Sequence, residues 1–351
     1  MECIWTNEGC KMSMLHSSAG SGADDKLYAE DVFSVYLRTG TGADVVTTTG
    51  IDMTKGYMLW TKGRSGATDH AIYDSARGVT KDLVSNSTAA ETTQSTGLKA
   101  VSATGHTIGS LAKMNTSGAT YVDFVFRKTP KFFDIVTYTG SSTTTTQVTH
   151  GLGVQPELIL LKSRSATEKW FGNVFQPNMT LSVGLAYWLY SIFDDSAALY
   201  PPGTMVETMG PDSTLLPTST TFNVKGVTGN NIEANTNAVT YVAYLFATLA
   251  GISKVGSYTG NGTSQTIACG FTTGARFILI KRTDSTGDWY IWDTVRGIVA
   301  ANDPHLSLNT TAAEVTTDDS IDPEASGFIV NQVAATNINV SSATYIYLAI
   351  A

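Results

Sequence analysis

One strand-ending phrase occurs three times in this chain, as Ala119-Thr120-Tyr121-Val122-Asp123-Phe124-Val125-Phe126, Ala238-Val239-Thr240-Tyr241-Val242-Ala243-Tyr244-Leu245-Phe246 and Ala343-Thr344-Tyr345-Ile346-Tyr347-Leu348-Ala349-Ile350. A Thr-Gly step comes before each copy, at Thr39-Gly40, Thr139-Gly140 and Thr259-Gly260. The chain therefore reads as three tandem copies of a unit of roughly a hundred residues, a size that can hold its own core.

Apolar residues make up 42% of the chain and charged residues 15%, a balance that favours a folded protein over a disordered one. Thr, Ser and Gly are plentiful, which suits pleated strands joined by turns, while the poverty of Lys and Glu leaves little for long surface helices. Short apolar or alternating runs bounded by Gly, Asn or Asp mark the strands, among them 57–62, 121–126, 158–162, 241–246, 277–282 and 345–350. No strand-helix alternation signals a parallel sheet. The expected fold is all-β: three tandem antiparallel β-sandwich domains, jelly-roll-like, behind an N-terminal arm.

The expected boundaries are an attachment arm over residues 1–31, then repeats over 32–128, 131–249 and 251–351. Repeat two is divergent, with an apolar insertion from Leu181 to Phe193 that reads either as core or as a subunit contact. The linkers, Arg127–Lys131 and Ala247–Ser253, are short, so a semi-rigid rod or a compact cluster follows, and end-to-end stacking is the expected arrangement.

Units one and three match most closely. Asp69–Gly78 lies against Asp288–Gly297 with five of ten positions identical, and Asn86–Glu91 lies against Asn309–Glu314. A Lys recurs after the central strand, at Lys62, Lys162 and Lys281. Asp74-x-x-Arg77-Gly78 and Asp293-x-x-Arg296-Gly297 read as turns closed by a carboxylate–guanidinium pair; an anion or sugar contact by the Arg is the alternative. Trp292 stands opposite Tyr73 and reads as core. Trp289 stands opposite His70 and reads as solvent-facing, which makes Trp289 and His70 the candidate ligand-binding positions, by aromatic stacking on a sugar.

Several function classes are set aside. A net charge of −8 without a basic cluster argues against nucleic acid. The longest apolar run, Val183–Tyr190, is far too short for membrane insertion, and the N-terminus lacks a basic-then-apolar leader. The five histidines have no metal-ligand spacing, the carboxylates Asp318, Asp319, Asp322 and Glu324 do not match a calcium loop, and no nucleophile elbow or phosphate loop is present. The expectation is a protein with no catalytic residues, no metal and no cofactor. Cys3 and Cys10 read as free thiols in the arm, with a small disulfide-closed loop as the alternative, and Cys269 as a small core hydrophobe.

At Tyr138-Thr139-Gly140, His150-Gly151-Leu152-Gly153-Val154-Gln155-Pro156-Glu157 with the following strand to Lys162, and Asp288–Asp293, the sequence resembles the repeated β-domain of virion proteins of marine tailed bacteriophages, tail and tail-fibre proteins among them. Unit one has Gly50-Ile51-Asp52, and unit three Cys269-Gly270-Phe271-Thr272, where unit two has the His-Gly-Leu-Gly turn. The resemblance implies a structural virion protein made in the host cytoplasm, placed at a tail fibre or tail tip and involved in host attachment. The alternatives are a capsid decoration or head fibre, and a carbohydrate-binding or polysaccharide-degrading spike. The implied partners are further copies of itself in a trimer or higher homo-oligomer, other tail proteins held through the arm, and a host surface glycan or protein.

Overall fold

A computed structural model describes residues 4–6, 9–11, 26–141, 145–174, 189–192, 217–224 and 234–351. Apart from the 189–192 backbone, the Leu181–Phe193 stretch lies outside the described residues. So do Cys3 and the side chain of Cys10.

Short helical turns aside, the described residues are all-β, and every strand pair among them is antiparallel. Each unit has an inner sheet built on the same three strands. In unit one, Thr120–Arg127 lies between Phe33–Thr39 and Tyr57–Gly63, with Ala71–Asp74 beyond. In unit two, Thr240–Phe246 lies between Phe133–Thr139 and Leu158–Ser163. In unit three, Thr344–Ile350 lies between Ser253–Thr259 and Phe277–Arg282. Smaller outer sheets cover one face: Val45–Thr48, Gly105–Ile108 and Leu98–Val101 in unit one, Thr146–Thr149 with Thr221–Val224 in unit two, and Ser264–Ala268, Gly327–Asn331 and Ile321–Glu324 in unit three.

The thrice-repeated phrase is therefore the central strand of each inner sheet. The Thr-Gly step lies at its far end, where the first strand turns away. A Cβ on Gly40, Gly140 or Gly260 would lie 2.1, 2.1 or 2.2 Å from the carbonyl oxygen of Thr116, Thr236 or Val340. Close backbone approach is what demands glycine there.

The units do not stack end to end. Alternate residues of each central strand point to different cores. Tyr241, Ala243 and Leu245 join the sandwich core of unit two, whereas Val242, Tyr244 and Phe246 join a core common to all three units. Likewise Ile278 and Ile280 face the core of unit three, and Phe277 and Leu279 the common one. A strand buried on both faces is apolar at nearly every position, and these segments are.

At the common core Phe126 lies 5.7 Å from Phe133, 5.6 Å from Phe246 and 5.9 Å from Phe277, ring centre to ring centre. The entry to each first strand is fixed in the same way: Arg127, Ala247 and Ala351 donate their backbone N–H to the carbonyls of Val32, Phe132 and Ile252. The linkers are too short to let a unit leave this core, and burying three apolar sheet faces against one another drives the cluster over the rod.

Candidate functional site

Asp74 ends the strand Ala71–Asp74 and accepts hydrogen bonds from the backbone N–H groups of Ala76, at 2.9 Å, and Arg77, at 3.0 Å. Gly78 follows at φ 100°, where a side chain would be strained. Arg77 turns back beneath the loop: Nε pairs with Asp74, Nη2 donates to the Ile72 carbonyl at 2.9 Å and Nη1 to the Lys81 carbonyl at 3.0 Å. Both side chains are fully buried. Burial alone would pull the Arg77 guanidinium down, but Asp74, Tyr244 and Glu91 together outweigh it and hold the group firmly charged. Unit three repeats the motif. Arg296 pairs with Asp293 and donates through Nη2 to the Ile291 carbonyl at 3.0 Å.

These turns lie at the junctions between units. Arg77 reaches Glu91 at 3.4 Å, and Glu91 receives Nε and Nη2 of Arg164 from unit two at 2.9 and 3.2 Å. Arg296 reaches Glu314 at 3.3 Å, and Glu314 receives Nε and Nη2 of Arg64 from unit one at 2.9 and 2.8 Å. Tyr244 of unit two donates its hydroxyl to Asp74 at 2.7 Å. Two of the recurring lysines serve these seams: Lys62 donates to the Thr311 carbonyl of unit three at 2.9 Å, and Lys162 to the Thr88 carbonyl of unit one at 2.8 Å. Burial lowers Lys62 to about 8.

Unit two thus clasps unit one as unit one clasps unit three. Unit three has Thr283 where the others have Arg64 and Arg164, and its Arg282 pairs with Asp284 instead. Residues 193–216 of unit two lie outside the described residues.

His70 and Trp289 are not on the surface, contrary to the expectation for a ligand-stacking pair; their relative exposures are 0% and 1%. Trp170 of unit two occupies the same strand position and is equally buried, and it belongs with them although the sequence reading passed it over. All three side chains fill the seam to a neighbouring unit. Trp170 donates its indole N–H to the Val84 carbonyl at 2.8 Å, and His70 Nε2 lies 3.1 Å from the equivalent carbonyl, that of Ser307. The ring of Trp289 packs at Gly172 of unit two.

The bonds fix the tautomer of His70. Trp60 Nε1–H can only donate, and it donates to His70 Nδ1 at 2.9 Å, so the proton sits on Nε2 and is donated to Ser307. Burial, reinforced by Lys62, lowers His70 to about 3, and burial lowers His305 to about 4.

Both histidines take up a proton near pH 6.5 when unfolded, so the unfolded chain binds more protons below that pH and stability falls as the medium is acidified. Asp303 runs the other way over part of the range, because burial raises it to about 6. We expect the His70 contribution to fall by on the order of 2 kcal/mol between pH 6.5 and 4.5. Urea unfolding at the two pH values should show a smaller acid loss for His70→Gln, which preserves both hydrogen bonds, than for the wild type.

Among the described residues no group of three or more His, Cys, Asp or Glu could hold a metal ion. No helix among them is long and apolar enough to cross a membrane. The carboxylates and bases that sequence patterns single out at Asp74, Arg77, Asp293 and Arg296 are spent on the junctions. The arrangement can hold three units in register.

Over residues 29–351 the chain matches the family described as a Domain of unknown function (DUF7483), and it belongs to that family. No curated protein matches it.

Proposed function

We propose that this member of the DUF7483 family is a structural virion protein of a tailed bacteriophage, a tail-tip or tail-fibre component that takes part in host attachment. The observation that carries the reading is the cluster of three like sandwiches on one core, a frame of the kind that carries binding loops. The resemblance of the Tyr-Thr-Gly and His-Gly-Leu-Gly segments to phage tail β-domains supplies the class of particle. In this reading the protein does no chemistry of its own, the N-terminal arm fastens it to other tail proteins, and a host glycan or protein is the outer partner. Repetition within one chain already offers the multivalency otherwise supplied by a trimer of chains, and further assembly into a homo-oligomer adds to it.

Labelled antibody on intact particles tests the placement. Label at the tail end, with purified protein competing for adsorption to host cells, is the expected result. Label spread over the capsid would instead make it a decoration or head-fibre protein. Release of oligosaccharide from host envelope polysaccharide by purified protein would make it an enzyme and overturn the non-catalytic reading.

A further inference from the structure

Three units with one topology and shared strand registers face a folding hazard. A strand of one unit can pair with, or close over, the sheet of another. One interior layer of the sandwiches differs so sharply between units that it works against such exchange.

In unit one this layer is polar. Asp123, fully buried on the central strand, accepts from Arg38 Nε at 2.7 Å, Arg38 Nη2 at 3.2 Å and Thr61 Oγ1 at 2.7 Å. His106 on the outer sheet brings Nε2 to 3.4 Å from the same carboxylate, and Thr47 pairs with His106 across the outer sheet. The Arg38 guanidinium lies over the Tyr121 ring at 4.7 Å. All of these side chains are within a few per cent of full burial. Burial pushes Asp123 up, but Arg38 and His106 more than reverse this and hold it well below the usual carboxylate range.

Strand register identifies the matching positions elsewhere. For Arg38, Thr47, Thr61, His106 and Asp123, unit two has Tyr138, Val148, Leu161, Phe222 and Ala243, and unit three has Tyr258, Ile267, Ile280, Phe328 and Tyr347. Where Arg38 covers Tyr121, those units stack Tyr138 on Tyr241 and Tyr258 on Tyr345, at 5.0 and 4.8 Å.

The residue beside the central strand is also matched by size. Tyr36 faces Asp123, Val136 faces Ala243, and Gly256 faces Tyr347. A Cβ on Gly256 would come within 2.5 Å of the Tyr347 hydroxyl, so only glycine admits the large partner.

We infer that this layer is a unit-identity code that keeps each sandwich's own strands together during folding and against exchange. The central strand of unit one exchanged into the inner sheet of unit two or three would bury Asp123 against Leu161 or Ile280, with Tyr138 or Tyr258 in the place of Arg38. The central strand of unit three exchanged into the inner sheet of unit two would crowd Tyr347 against Val136. An unpaired buried charge is among the costliest defects a core can hold, whereas an apolar replacement of the whole set is tolerated or stabilising.

The test transplants the code of unit two into unit one, as Tyr36→Val, Arg38→Tyr, Thr47→Val, Thr61→Leu, His106→Phe and Asp123→Ala together in the full chain. The native protein should keep or raise its guanidinium midpoint. After complete unfolding and dilution, however, recovery of native monomer should fall at least threefold relative to wild type, with the remainder misassembled or aggregated. The unit-two variant Ile159→Val with Val224→Ile, at core positions outside this layer, should refold as wild type does. If the sixfold variant does not reach a native state on expression, Arg38→Tyr, His106→Phe and Asp123→Ala together are read by the same comparison. Refolding of the recoded chain with wild-type yield overturns the inference.

Discussion

Asp74→Ala should lower the stability of the whole protein by about 3–5 kcal/mol, the range for removing one partner of a buried pair. Arg77 would keep its charge with no carboxylate at its Nε in a fully buried site. Two capped backbone N–H groups and the Tyr244 hydroxyl would lose their acceptor as well. Asp293→Ala should behave similarly in unit three, where Arg296 is likewise fully buried. Arg164→Ala, a half-buried arm of the same network, should cost far less, about 1 kcal/mol or below. Urea titrations of the three variants give the order directly. An Asp74 variant no weaker than the Arg164 variant would remove the junction turns from the account.

Phe126→Ala should cost about 3–5 kcal/mol, the range for truncating a buried phenylalanine, and should do so for all three units at once. Phe126 belongs to unit one, yet its ring meets Phe33 of its own unit at 4.8 Å, Phe133 and Phe246 of unit two, and Phe277 of unit three. A single shared core makes unfolding one transition, so calorimetry should show one peak moved down. A low-temperature peak for unit one, with the rest of the trace unchanged, would mean that the units are independent.

Much of the fold is legible in the residues. The tripled phrase marks the three central strands. The identical pairs Asp69/Asp288 and Asn86/Asn309 mark a tie that the structure makes twice, Asn86 to Asp69 at 2.8 Å and Asn309 to Asp288 at 2.9 Å. The arrangement of the units was harder to read, although the sign of it was present. Leu158-Ile159-Leu160-Leu161 and Phe277-Ile278-Leu279-Ile280 are apolar at every position, and a sandwich with one wet face needs only alternation.

The position shared by His70, Trp170 and Trp289 misled for a related reason. A comparison of units one and three alone sets a polar residue against an aromatic one and suggests solvent, whereas the Trp of unit two points to burial. The strand Val45–Thr48 gave no usable apolar pattern because its burial is inverted: Val46 is 75% exposed and Thr47 is 2% exposed, facing the polar layer. No pattern rule anticipates a buried threonine beside an exposed valine, since tertiary partners decide it.

The most direct test of three sandwiches on one core is small-angle X-ray scattering from the monomeric protein. A compact chain of this length should give a radius of gyration of about 20 Å, and three separate hundred-residue domains in a row about 30 Å. The account predicts a value near the lower figure with a single-lobed distance distribution. A value near the upper one, with a long tail, would contradict it.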